Sequence, residues 1–231
     1  MTQPTILITT TSDGSMYNRK NHTDPSVIKN RVTYLQKNGL QSGQTTRLNP
    51  NANQRAEVDH ETDWCRYIEV DLAAKGLGME DGNSPAADAL ITRNFDHVLM
   101  LPVADCVGTT IYDPVHQVLM ISHLGRHSLE QQGGVRSVEY LVENYQSNPK
   151  DLLVWFTPAP NKEVFPIWAL DNKGMKEVAF EQMATVGVLI ENITDNPADT
   201  VSDTNYFSYS EFLKGHRSED GDYAMIAVMK S

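Results

Sequence analysis

The chain has 231 residues and a formal net charge of −11 at neutral pH, a length that suits one large core. That acidic balance argues against nucleic acid or an anionic membrane as partner, since such surfaces are built on clustered Lys and Arg that neutralise phosphates. No apolar run approaches a membrane span, and Met1-Thr2-Gln3-Pro4 lacks the basic-then-apolar plan of an export signal; cytoplasmic residence is expected, with Cys65 and Cys106 both reduced.

Thr5–Thr11 is rich in β-formers and ends in the loop Ser12-Asp13-Gly14-Ser15. A helix is predicted after Asp24, which can cap it; Pro25 suits its first turn, Ile28, Val32 and Leu35 share a face, and Asn38-Gly39 stops it. Thr45–Thr62 is polar and without periodicity, so it reads as a long surface loop. A short strand is expected over Cys65–Val70, and Ala73–Ala86, rich in Gly, Ala, Asp and Asn, reads as an irregular, lid-like connection.

The central stretch, Ala87 to Leu141, is the informative one. It predicts strands over His97–Val103, Thr109–Asp113 and Gln117–His123, then a helix from Ser128 to Tyr145. Asp113-Pro114-Val115-His116 makes a good turn, because Pro presets φ at the second turn position. Such a hairpin carries Cys106, just before one strand, and His123, at the end of its neighbour, to the same rim. A lone Cys is usually a small buried hydrophobe and a strand-end His a satisfied polar group. Their shared position, with Asp105 before one and Gly125 after the other, points instead to a soft metal site or an activated nucleophile pair. Downstream, strands are expected at Asp151–Thr157, Val186–Glu191, Tyr206–Tyr209 and Tyr223–Met229, with a helix over Asn172–Thr185 whose Met175, Val178, Ala179 and Met183 face a core. Alternating strands and helices predict a single α/β domain, residues 1–231, with a mixed β-sheet flanked by helices.

Five stretches, in order, carry a resemblance: Ala87-Asp88-Ala89-Leu90-Ile91-Thr92 together with Val103-Ala104-Asp105-Cys106, then Asp113-Pro114, His123-Leu124-Gly125, Trp155-Phe156-Thr157-Pro158-Ala159, and Tyr206-Phe207-Ser208-Tyr209. They are similar to the signature of the multicopper polyphenol oxidase, or laccase-domain, family: A-D-A-L-V-T, T-A-D-C, D-P, H-A-G-W-R-G, W-x-G-P-x-I and F-F-S-Y-R-R. The resemblance implies an enzyme, zinc-dependent, that cleaves purine nucleosides with phosphate or deaminates adenosine with water. It implies zinc in preference to copper on His60, Cys106 and His123, where His60 stands for the family's Q-V-H-G histidine in Val58-Asp59-His60-Glu61; Asp63, Cys65 and Arg66 are alternatives from a shifted match. Asp105 joins Cys106 and His123 as a candidate catalytic residue, and Arg126, His127 and Tyr209 are candidate substrate contacts. The expected partner is a small molecule, a purine nucleoside with phosphate or water; the chain is compatible with a homo-oligomer.

Departures from the family pattern matter for the anion. Gly125-Arg126-His127-Ser128 replaces G-W-R-G, Ser210-Glu211 follows Tyr209 in place of two arginines, and Gly221-Asp222-Tyr223 replaces G-R-M. Arginine is the natural bidentate partner of an oxyanion, so these changes argue for weakened phosphate binding unless Arg126, His127, His216 or Arg217 substitutes. They leave a second reading: a homologue without turnover that serves as a metal-binding or regulatory module. A third, copper oxidation of phenols, meets the difficulty that seven scattered histidines do not form the clustered pairs of a multicopper centre.

Overall fold

Two buried strands with opposite parity on their two faces set the layers. In β5 (Val98–Val103), Val98 and Met100 pack toward a helix while Leu99, Leu101 and Val103 pack toward a second sheet. In β7 (Val118–Leu124), Leu119 and Ile121 face the first sheet while Val118, Met120 and Leu124 face helices on the far side. A near-continuous apolar run such as Val98–Val103, buried throughout, is what a strand covered on both faces requires. The computed structural model describes residues 3–50 and 65–231.

In chain order the strands are β1 (Thr5–Ile8), β2 (Thr45–Arg47), β3 (Tyr67–Glu69), β4 (Ala89–Thr92), β5, β6 (Val107–Asp113), β7, β8 (Leu153–Phe156), β9 (Pro166–Ile167), β10 (Lys173–Gly174), β11 (Ile193–Asp195) and β12 (Tyr223–Val228). The helices are α1 (Pro25–Lys37), α2 (Arg126–Glu130), α3 (Gly133–Tyr145), α4 (Met175–Thr185) and α5 (Tyr209–Leu213). One sheet has the order β1-β12-β5-β2, with β2 parallel to β5 and the other pairs antiparallel. The larger runs β11-β8-β6-β7-β4-β3, parallel at both edges and antiparallel within; β9 and β10 form a small ribbon. α1 covers the first sheet through Tyr34 and Leu35, and α2, α3 and α4 cover the second through Leu129, Val138, Leu141, Val178 and Met183. The result is an α/β domain with mixed strands distributed over two facing sheets.

Most local expectations hold. Asp24 caps α1 by accepting from the Ser26 N–H at 2.9 Å, Pro25 is its first residue, and Gly39 follows at φ 71°. Where the elements differ, tertiary packing decides. The helix expected over Ser128–Tyr145 is split into α2 and α3, because a Cβ on Gly133 would sit 2.0 Å from Ser128 Oγ and the chain turns at Gln132 with φ 63°. Within the expected loop Thr45–Thr62, Thr45–Arg47 pairs with β5. No strand forms over Val186–Glu191, where Gly187 at φ 95° leaves α4; pairing waits until β11. Tyr206–Tyr209 is not a strand either, since the Ser208 hydroxyl caps α5 by accepting from the Glu211 N–H.

Candidate functional site

The hairpin does what its turn promised. Asp113 Oδ1 accepts from the Val115 and His116 N–H groups, fixing the register in which Gly108 faces His123 and Val107 faces Leu124. His123 shares parity with Leu119 and Ile121, and Cys106 with Tyr112, so both side chains enter the space between the two sheets. The His123 N–H is held by Asp88 O at 2.7 Å. A Cβ on Gly125 would lie 2.8 Å from His123 Cε1 and 3.2 Å from both His123 Nε2 and Cys106 Sγ. Sulfur and nitrogen thus converge on one small space that only a glycine leaves open.

Burial, then the Asp105 and Asp222 carboxylates, push the Cys106 thiol up to about 12, against the smaller pull of Arg19 and the Arg126 N–H. At neutral pH it is a thiol, not a ready nucleophile; a cation at this point would have to displace its proton. Asp105 sits at φ 77°, buried, with Thr200 Oγ1 donating to Oδ1 at 2.7 Å and the Ser210 N–H to Oδ2 at 2.8 Å. With both oxygens engaged, it positions Cys106 and ties α5 to the site.

Cys106 and His123 form part of the partition between two chambers, together with Ala104 and Tyr209. One, of about 490 Å³, is charged, with Arg19, Lys20, Arg47, Asp220 and Asp222 in its wall. The other, of about 450 Å³, is largely apolar, with Phe165, Met175 and Leu213 beside Arg126 and His127. Both volumes suit a drug-sized ligand. Arg126 is half-exposed and lies near Glu130, as does His127. Tyr209 carries the Arg19 guanidinium over its ring at 4.3 Å from the centroid.

Sequence reasoning missed the charged chamber. Arg19 pairs with Asp220 and Asp222, so the acid standing where the family has arginine is met by a cation from the opposite end of the chain. Burial raises the Asp222 carboxyl to about 6 despite that cation. Arg47 and Asn49 were hidden in a stretch read as loop; Thr45-Thr46 before Leu48 was the β-signal available. His60 and Asp63 lie outside the described residues, and among the described residues of this region Arg47 and Asn49 are the polar side chains in the charged chamber's wall.

Comparison with known proteins meets this geometry directly. The model of the family described as multi-copper polyphenol oxidoreductase laccase matches residues 18–173, more than half of the chain. The chain belongs to this family. Over 96 residues it is 29% identical to the purine nucleoside phosphorylase YlmD of Bacillus subtilis (strain 168), covering 41% of this chain and 34% of that protein, about a third of its length. Its fold is that of the hypothetical protein YfiH of Bacillus licheniformis (TM-score 0.81, 20% identity, 99% of this chain and 93% of that one). YlmD of Geobacillus stearothermophilus shares it too (TM-score 0.75, 18% identity, 91% and 82%).

A laccase-domain chain invites a metal, and the donors can be tested for fit. A thiol sulfur and an imidazole nitrogen converging on one open space suit zinc or a similar soft divalent ion. No group of three or more His, Cys, Asp or Glu gathers among the described residues, which contribute these two donors. No helix among them is long and apolar enough to cross a membrane.

Proposed function

We propose that this chain is a metal-dependent enzyme acting on purine nucleosides, with phosphorolysis or hydrolytic deamination as its chemistry. The observation that carries this reading is the Cys106–His123 pair in the partition between an apolar and a charged chamber. A purine has flat apolar faces that suit the Phe165 and Met175 side, and ribose with phosphate suits the arginine side. The name of the Bacillus subtilis relative, purine nucleoside phosphorylase, supports the same class.

Cys106 and His123 would hold zinc, with His60 as the third ligand implied by the family pattern. When bound, zinc supplies Lewis acidity and makes water a usable nucleophile near neutral pH. The chain's own part is to bind and orient. Tyr209 offers a ring face at the junction, Asp105 ties Cys106 to α5, and His127, held between Glu130 and Arg126, lines the apolar chamber where a base would lie.

A second reading, a metal-binding or regulatory homologue without turnover, is favoured by Ser210-Glu211 and Asp222 standing where the family pattern has arginines. Phenol oxidation on several coppers gains less support: His123 and His127 are the histidines that line the chambers among those residues. The deciding experiment is metal analysis of the purified protein beside a nucleoside screen with and without phosphate. Turnover of a purine nucleoside supports the enzyme, and metal without turnover of any nucleoside supports the regulatory module. Absence of both metal and turnover would sink both readings.

A further inference from the structure

The charged chamber holds a buried cation whose partner is missing. Arg47 has no solvent exposure. Its Nε donates to Gly78 O at 2.6 Å, while Nη1 and Nη2 make no hydrogen bond among the described residues. Tyr17 lies under the guanidinium with its ring centroid 5.0 Å from Cζ. Beside burial, which disfavours the charge, Tyr17 acts on it first, and Asp222 and Asp81 act on it from a distance. Arg31, also fully buried, adds a second cation nearby; it is anchored on Met16 O, Gly78 O and Met79 O at 2.7–2.9 Å, and its charge and that of Arg47 repel.

Proteins bury a charge when it is paired, because desolvation is otherwise uncompensated. The other arginines of the two chambers are committed, Arg19 to Asp220 and Asp222 and Arg126 near Glu130, and Lys20 in the charged wall is solvent-exposed. Arg47, in the wall that also carries Cys106 and His123, is the one of these arginines whose two terminal guanidinium nitrogens both make no hydrogen bond among the described residues. Two parallel N–H donors are the fork that fits an oxyanion bidentately.

We infer that Arg47, backed by Arg31, forms a phosphate subsite in the charged chamber. It takes either free orthophosphate or the phosphate of a nucleotide ester, since the fork recognises the same oxygens in both. The inference deepens the nucleoside reading and rests on it for the identity of the ligand. It assigns to Arg47 the anion role for which the sequence had offered Arg126, His127, His216 and Arg217.

Calorimetric titration of the full-length protein at constant ionic strength tests it, with orthophosphate and a nucleoside 5′-monophosphate as probes. Wild type is expected to bind at least one of them, with R47Q weaker by tenfold or more and R47K, which keeps the charge and loses the fork, weaker by several-fold. Binding of the monophosphate alone, lost in R47Q, identifies the ester as the source. Because R47Q removes an uncompensated charge, it should melt no lower than wild type without phosphate, and only wild type should gain melting temperature when the bound probe is added. Should R47Q fail to fold, the Arg47 guanidinium resonances of ¹⁵N-labelled wild type must shift on adding the probe. Equal binding by R47Q, no binding of either probe by wild type, or an unmoved Arg47 signal overturns the subsite. Phosphate bound without nucleoside turnover keeps the subsite and removes the enzymatic reading; turnover with no phosphate bound does the reverse.

Discussion

Replacing Gly125 by alanine separates the site from the fold. The backbone there has φ −80° and ψ 172°, which any residue adopts, so alanine is not strained and narrows the unfolded ensemble by about 0.4–1 kcal/mol. The added methyl, however, would stand 2.8 Å from His123 Cε1 and 3.2 Å from Cys106 Sγ, where ordinary contact begins near 3.4 Å. The imidazole must retreat by more than half an ångström, beyond the roughly 0.2 Å that metal–ligand distances tolerate. Overpacking of this kind costs about 1–3 kcal/mol, and borne by the bound geometry it lowers zinc affinity by roughly 5–150-fold. Zinc competition titration with a chromogenic chelator, alongside thermal melts of the metal-free proteins, reads the two effects separately. The expected pattern is a melting temperature within a few degrees of wild type and a clear loss of zinc affinity. If G125A binds zinc as tightly as wild type, the two donors do not converge on the space that Gly125 leaves open.

Three further outcomes are expected. Cys106→Ala should abolish both metal uptake and nucleoside turnover while the circular dichroism spectrum stays native; retained turnover removes Cys106 from the site. Arg126→Ala should change the phosphate-dependent rate by less than about twofold, as its half-exposed side chain lies 3.9 Å from Glu130 in a screened rim pair; a selective tenfold loss would return the anion role to Arg126. His97 is buried, 2.7 Å from Thr46 Oγ1, and burial, with a smaller push from Lys75, lowers its pKa to about 4. The folded state therefore binds fewer protons than the unfolded one. The stability this confers is complete above pH 6.5 and lost as pH falls through 4, by roughly 3 kcal/mol. Urea unfolding of wild type against His97→Gln should show a gap that shrinks between pH 7 and 4, and a constant gap would refute the assignment.

The legible parts of this protein are those encoded over a few residues. Asp24-Pro25 announces α1, Asp113-Pro114 turns β6 into β7, and Cys106 and His123 are carried to one rim because that hairpin has a turn of fixed length and side chains alternate with period two. The family motifs fall on these same short-range features, which is why they survive at 20% identity or so to solved relatives. What only the tertiary structure decides is which distant segments share the chambers. Arg19 meets Asp220 and Asp222 because β12, near the end of the chain, lies between β1 and β5. A cation and two acids that meet from opposite ends of a chain leave no local pattern, so the Arg19 pairing was not legible in the sequence. Arg47 was invisible for a related reason. β2 is three residues long and owes its existence to a parallel partner some fifty positions away, and whether its arginine is paired or left open to a ligand depends on every segment packed around it.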